Sequence, residues 1–112
     1  MIAIAENLRT ERSWRELIRA LIQELSELLP DKVRLVVALP SPEDRLYDSN
    51  VLVMLDECDP KASMLVMRAT VNAEERLGVG GVLSPLVVGP EDRDAVERFR
   101  EHGGEVLEGK EE

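Results

Sequence analysis

Cysteine and histidine occur once each in the 112-residue chain, as Cys58 and His102. A lone cysteine cannot close an internal disulfide, and with a single histidine no Cys/His cluster exists for structural zinc. Both scarcities point to reducing cytoplasm. Catalysis through a Cys-His or Ser-His-Asp constellation would have to recruit His102, which falls at a helix end. Aromatics are confined to Trp14, Tyr47 and Phe99. Cations are also short: 14 Lys and Arg stand against 23 Asp and Glu, a formal charge of −9. That balance opposes a grip on nucleic acid, whose phosphates must be neutralised by Lys and Arg, and an anionic membrane surface repels it for the same reason. Much of the excess lies in residues 90–112, where nine acids face Arg93, Arg98, Arg100 and Lys110. No apolar run approaches the roughly 18 residues of a membrane span, and the opening MIAIAENLRTERS is too acidic and its apolar part too short for a signal peptide.

A chain of this length is expected to form one domain, residues 1–112, around a single core. Residues 1–12 read as an N-terminal arm and 110–112 as a solvated tail. Ser13-Trp14-Arg15-Glu16 has the form of a capping box and predicts a helix start at Ser13. Trp14, Leu17, Ile18, Leu21, Ile22, Leu25, Leu28 and Leu29 then recur at three- and four-residue steps, and Pro30 closes the helix. This wide stripe suits packing on a sheet, with room for part of it to serve a dimer interface.

Residues 33–39 (VRLVVAL), apolar except for Arg34, and 51–55 (VLVML) are continuous and not alternating, as in strands buried on both faces. The Pro-, Ser- and Asp-rich stretch between them predicts a long loop. Asp59-Pro60 reads as an N-cap followed by proline at the first helical position, opening a helix over residues 60–77 that Gly78, Gly80 and Gly81 end. Residues 82–88 predict a third strand, which Pro85 demotes to an edge. A helix is expected from Gly89-Pro90 to Gly103, and residues 104–107 add a short last strand. The order α, β, loop, β, α, β, α, β describes a small α/β (α+β) domain with helices on a mixed sheet.

Other features read structurally. Met54, Met64 and Met67 are expected to fill core gaps. Gly78-Val79-Gly80-Gly81 follows a helix instead of preceding one, so it is turn geometry and not a phosphate cradle. Acids on both sides of Cys58 argue against a reactive thiol, and His102 complements a helix C-terminus.

Chemistry could reside in the loop before the second strand or at that strand's acidic exit. On a strand, Asp48, Asn50, Leu52, Met54 and Asp56 share one face, and Mg²⁺ would need two carboxylates close together there. Asp48 and Asp56 are eight residues apart, roughly 26 Å on an extended strand. The order of elements, with Ser41 in the turn after the first strand, resembles the minimal nucleotidyltransferases of the polymerase-β-like superfamily over roughly residues 13–109. The resemblance includes Leu46-Tyr47-Asp48-Ser49-Asn50-Val51-Leu52-Val53 at the family's Asp-x-Asp strand, and a closing helix, glycine and short strand in residues 99–107. Laid onto the family motif, the Gly-Ser pair falls on Pro40 and Ser41, the metal-binding aspartates on Asn50 and Leu52, and the third carboxylate near Ser84 or Leu86. Only Ser41 survives.

The resemblance therefore implies a nucleotidyltransferase fold with no catalytic residues, no metal ligands and no cofactor, acting through protein contacts. It further implies an all-helical HEPN-type partner, as in prokaryotic two-gene systems, while a homodimer is the expectation that needs the least extra assumption, with the wide first-helix stripe and the acidic C-terminal face as the contact surfaces the sequence offers. The competing expectation is an active, divergent enzyme that transfers a nucleoside monophosphate from ATP with Mg²⁺, using Ser41, Asp48 and Asn50. Under the first expectation, the turn chemistry of Asx residues alone accounts for Asp48, Ser49 and Asn50. Glu43 and Asp44 place negative charge where the family passes a triphosphate.

Overall fold

The computed structural model describes the backbone of residues 2–109 and the side chains of residues 13–107. The elements run α1 (Ile2–Leu28), β1 (Val33–Ala38), β2 (Val51–Leu55), α2 (Pro60–Arg76), β3 (Pro85–Val88), α3 (Arg93–Glu101) and β4 (Glu105–Gly109). They form a mixed α+β domain whose four-stranded sheet has the order β3-β2-β1-β4. β1 pairs antiparallel with β2 and β4, while β2 and β3 are parallel.

The sheet has helices on both faces, so the inner strands need apolar residues at every position. β2 is buried throughout. Val51, Val53 and Leu55 join Val36 and Ala38 of β1 beneath α1 and α2, where Trp14, Ile18, Leu21 and Leu25 fill the space. Leu52 and Met54 turn to the other face with Leu35, Val37 and Val88, covered by Val96 and Phe99 of α3. The register sets Val36 opposite Val53 and Val37 opposite Leu52, so both cores run through both strands. The Trp14 indole donates to the Leu39 carbonyl at 2.8 Å, fixing α1 to the end of β1. The α1 stripe is therefore spent on the core, with Ile22 and Leu28 at its margin, and it is not the free contact face that the sequence also allowed.

Several boundaries move for identifiable reasons. Helix α1 begins at Ile2, eleven residues before the expected capping box. Residues 2–12 hold good helix formers and neither Gly nor Pro, so nothing stops the helix at Ser13. Being inside the helix, Ser13 cannot act as its N-cap. At the other end of the chain, Gly89-Pro90 opens a turn before α3. Asp92 closes it by accepting from the Gly89 amide at 3.0 Å through its side chain, and the helix starts at Arg93. β4 extends to Gly109, and the expected tail at 110–112 lies outside the described residues.

Other elements follow the sequence closely. Asp59 caps α2 by accepting from the Ala62 amide at 2.7 Å, with Pro60 in the first turn. The third strand lies at the sheet edge as expected but is shorter than residues 82–88: Pro85 opens β3, because the segment before it bonds to the side chains of Glu74 and Asn50. After α3 the amides of Gly103 and Gly104 reach the carbonyls of Arg100 at 3.0 Å and Phe99 at 2.7 Å, a paired closure that requires the left-handed backbone of Gly103 (φ +88°). Among the described residues no helix is long and apolar enough to cross a membrane.

Candidate functional site

Of the positions singled out by the resemblance, Ser41, Asn50 and Ser84 lie where the connection between β1 and β2 meets the segment before β3. Asn50, the last residue before β2, is fully buried and hydrogen-bonds on every side. Its side-chain amide donates to the carbonyls of Pro42 at 3.1 Å and Val82 at 2.8 Å. Its side-chain oxygen accepts from the Ser84 amide at 2.9 Å. The backbone adds Asn50 N–H to the Ser84 carbonyl and Leu39 N–H to the Asn50 carbonyl, both 3.0 Å. Both side-chain N–H groups are thus occupied, and the oxygen is turned onto the backbone of the neighbouring segment.

Leu52 lies within the core beneath α3 and offers no oxygen. Of the two candidates for the third carboxylate position, Ser84 donates its hydroxyl to the Asp48 carbonyl at 2.8 Å, and Leu86 is half-buried against the α3 core. The structure thus brings Ser41, Asn50 and Ser84 to one end of the sheet, but Asn50 and Ser84 act there as braces between segments and Ser41 bonds within its own turn.

Ser41 is committed as well. Its amide and its hydroxyl reach the same oxygen of Asp44, at 3.1 and 3.2 Å. An anion approaching Ser41 would meet a carboxylate already held by both donors. Glu43, Arg45 and Asp48 are all exposed on the same connection. Asp48 occupies a tight turn in which Leu46 and Ser49 exchange backbone hydrogen bonds of 2.9 and 3.0 Å. Tyr47 and Asp48 at its centre have φ of 57° and 60°, the left-handed pair typical of a two-residue hairpin. Turn geometry accounts for Asp48, as expected of an Asx residue. Asp56, beyond the opposite end of β2, pairs with Arg34 at 3.0 Å.

These residues do not fit Mg²⁺ or a triphosphate. A hard cation needs several free oxygens, and here one candidate is an amide engaged on three sides and the next is a leucine. Among the described residues no group of three His, Cys, Asp or Glu side chains is placed to hold a metal ion. No buried side-chain nitrogen or oxygen among them lacks a partner, so no orphaned polar atom awaits a ligand. The groove beside Pro42, about 320 Å³, is walled by Trp14, Leu17, Leu77 and Val79. Its described lining has Glu16 as the one ionisable group and no cation to meet phosphate.

Sequence reasoning missed Glu74. One of its carboxylate oxygens accepts from the amides of Val82 and Leu83, each at 2.8 Å, inside the protein. Val82 is thereby gripped from both sides, its amide by Glu74 and its carbonyl by Asn50. The signal was present: Glu74 follows Val66 and Thr70 at four-residue steps on the buried face of α2, an acid where the period calls for an apolar residue.

Two methionines were misplaced. Met54 is in the core, but Met64 is 72 % exposed and Met67 49 %, so neither fills a core gap. With Val71, 48 % exposed, they form a line on the outer face of α2. Cys58 is exposed, and the His102 ring donates to the Arg98 carbonyl at 3.0 Å, at the end of α3 as expected.

No protein-family model matches the chain, and no curated protein and no solved structure matches it either.

Proposed function

We propose that this chain is a nucleotidyltransferase-fold domain without a catalytic centre, working in the cytoplasm through protein contacts. The observation that carries the reading is Asn50: where the resembled family presents a metal-binding aspartate, an amide ties three chain segments together and has no N–H left to offer. Leu52 supports it by placing the second metal position inside the core. Asp44 supports it further, because its carboxylate takes both donors of the one surviving motif residue, Ser41. The exposed line of Met64, Met67 and Val71 supplies the apolar surface that a contact domain needs. The partners to which the reading extends are a second copy of the chain and, through the resemblance, an all-helical HEPN-type protein.

Calorimetric titration of the full chain with ATP and Mg²⁺ tests the absence of a nucleotide site. The expected result is no saturable heat. Micromolar binding that disappears in Ser41→Ala would overturn the reading and make the chain an active, divergent transferase.

A further inference from the structure

We propose that the outer face of α2 is the contact surface of a symmetric, antiparallel dimer, with the two-fold axis beside Met67 and Arg68, Met64 against Val71 of the second copy, and Lys61 against its Glu75. The inference deepens the contact-domain reading by naming the surface and its occupant, and it rests on that reading.

The inner face of α2 is closed by Ala62, Val66, Ala69 and Ala73. Met64, Met67 and Val71 stand on the opposite side at intervals of three and four, the spacing with which one helix packs along another. Along one flank of that line run Lys61, Arg68 and Glu75, seven residues apart and all exposed. In an antiparallel pair related by a two-fold axis, like flanks meet and residues equidistant from the axis become opposite numbers. The midpoint of Met64 and Val71 falls between Met67 and Arg68, and that of Lys61 and Glu75 falls on Arg68, so the two agree to within half a residue. One register therefore satisfies both the apolar line and the end charges. A parallel pairing leaves Lys61 level with Lys61 and gives neither ion pair.

The charge distribution favours the same patch. Two copies of a chain carrying −9 repel over most of their surfaces. On this flank Lys61 and Arg68 outnumber Glu75, so the acidic excess of the whole chain does not extend to it. The two Arg68 stems cover Met67 and keep their heads in water. A pair of 17-residue helices belongs to the small class of interfaces, so the association is concentration-dependent.

Sedimentation velocity on the full chain, from about 10 to about 500 µM, tests the proposal. The wild type is expected to pass from the monomer of 12.6 kDa to twice that mass. Met67→Glu, at an exposed position, should stay monomeric with an unchanged circular-dichroism melt. Lys61→Glu and Glu75→Lys should each weaken the dimer about fivefold or more, because both symmetric ion pairs become repulsions. An equimolar mixture of those two variants should restore near-wild-type affinity as a heterodimer, since each mutated end then meets its opposite charge. A wild type monomeric throughout, a dimer indifferent to Met67→Glu, or a mixture no tighter than its components would each overturn the proposal. The calorimetric titration with MgATP reads the parent hypothesis separately: a monomer that binds no nucleotide refutes the dimer alone.

Discussion

Removing the Asn50 side chain should cost far more than an ordinary polar substitution in a connection between strands. Asn50→Ala deletes three hydrogen bonds, to Pro42, Val82 and Ser84, at a position with no solvent exposure. At about 1 kcal/mol net for each bond, the loss is about 3 kcal/mol, and the unpaired carbonyls and amide left behind raise it toward about 4 kcal/mol. Asn50→Asp is the sharper variant because it restores the residue that the resembled family uses for metal. It keeps the acceptor for Ser84 but sets an oxygen where the amide nitrogen lies 2.8 Å from the Val82 carbonyl and 3.1 Å from that of Pro42. Oxygen against oxygen at that range is repulsive, so its loss should equal or exceed that of Asn50→Ala. The assay is urea unfolding followed by Trp14, which is the only tryptophan and is buried. With a slope near 1.5 kcal/mol/M, either variant should lower the midpoint by about 2 M, with or without Mg²⁺. An Asn50→Ala protein within about 1 kcal/mol of wild type would refute the bracing role. Recovery of Asn50→Asp by Mg²⁺ would show that a metal site remains beneath it.

Three further substitutions read other parts of the structure in the same assay. Gly104→Ala places a Cβ 2.5 Å from the Phe99 carbonyl oxygen and 2.8 Å from Val37; because the closer atom is backbone, the loss should be about 2–3 kcal/mol, and an unaltered midpoint would contradict the close approach. Glu74→Ala removes the acceptor for two buried amides and should cost about 3 kcal/mol, whereas Glu74→Gln keeps an oxygen and should cost less; equal losses would mean that the hydrogen bonds are not what stabilises the segment. Replacing Tyr47-Asp48 with Asn-Gly relieves two left-handed residues and should stabilise the protein by about 1–2 kcal/mol, while destabilisation would indicate that the Tyr47 ring contributes packing beyond the turn.

The fold was legible wherever local chemistry and tertiary need agree. Residues 51–55 can be read as a doubly covered strand because every position is apolar, and β2 spans those residues. Asp59-Pro60 and Gly103 mark helix ends because caps and left-handed glycines act over a few residues. The start of α1 was hidden because Ser13 offers a cap that a continuing helix leaves unused. The methionines were misread for a tertiary reason. Helix α2 has two apolar faces, one of small residues around Val66 and one of Met64, Met67 and Val71. Helix α1 and the sheet take the small face, whose alanines let α1 approach closely, and the larger side chains are left outside. At the candidate site the sequence shows an amide at position 50 and a leucine at position 52 where the resembled family has carboxylates, since that is a matter of residue identity. It does not show that Asn50 and Glu74 have become braces, because their partners Val82 and Leu83 are fixed by the fold, whereas the Ser41–Asp44 contact spans three residues and is local.

The most direct measurement of the central claim is an amide ¹H–¹⁵N titration of the full chain with Mg²⁺ and ATP, following Ser41, Asp44, Asn50 and Ser84. These four amides surround the place where the resembled family does its chemistry, and each is held by a hydrogen bond within the chain: Ser41 to the Asp44 carboxylate, Asp44 to the Ser41 carbonyl, and Asn50 and Ser84 to each other. The expected result is that none of them shifts saturably. A saturable shift at Ser41 and Asn50, requiring both metal and nucleotide, would contradict the claim that this end of the sheet serves packing and not catalysis.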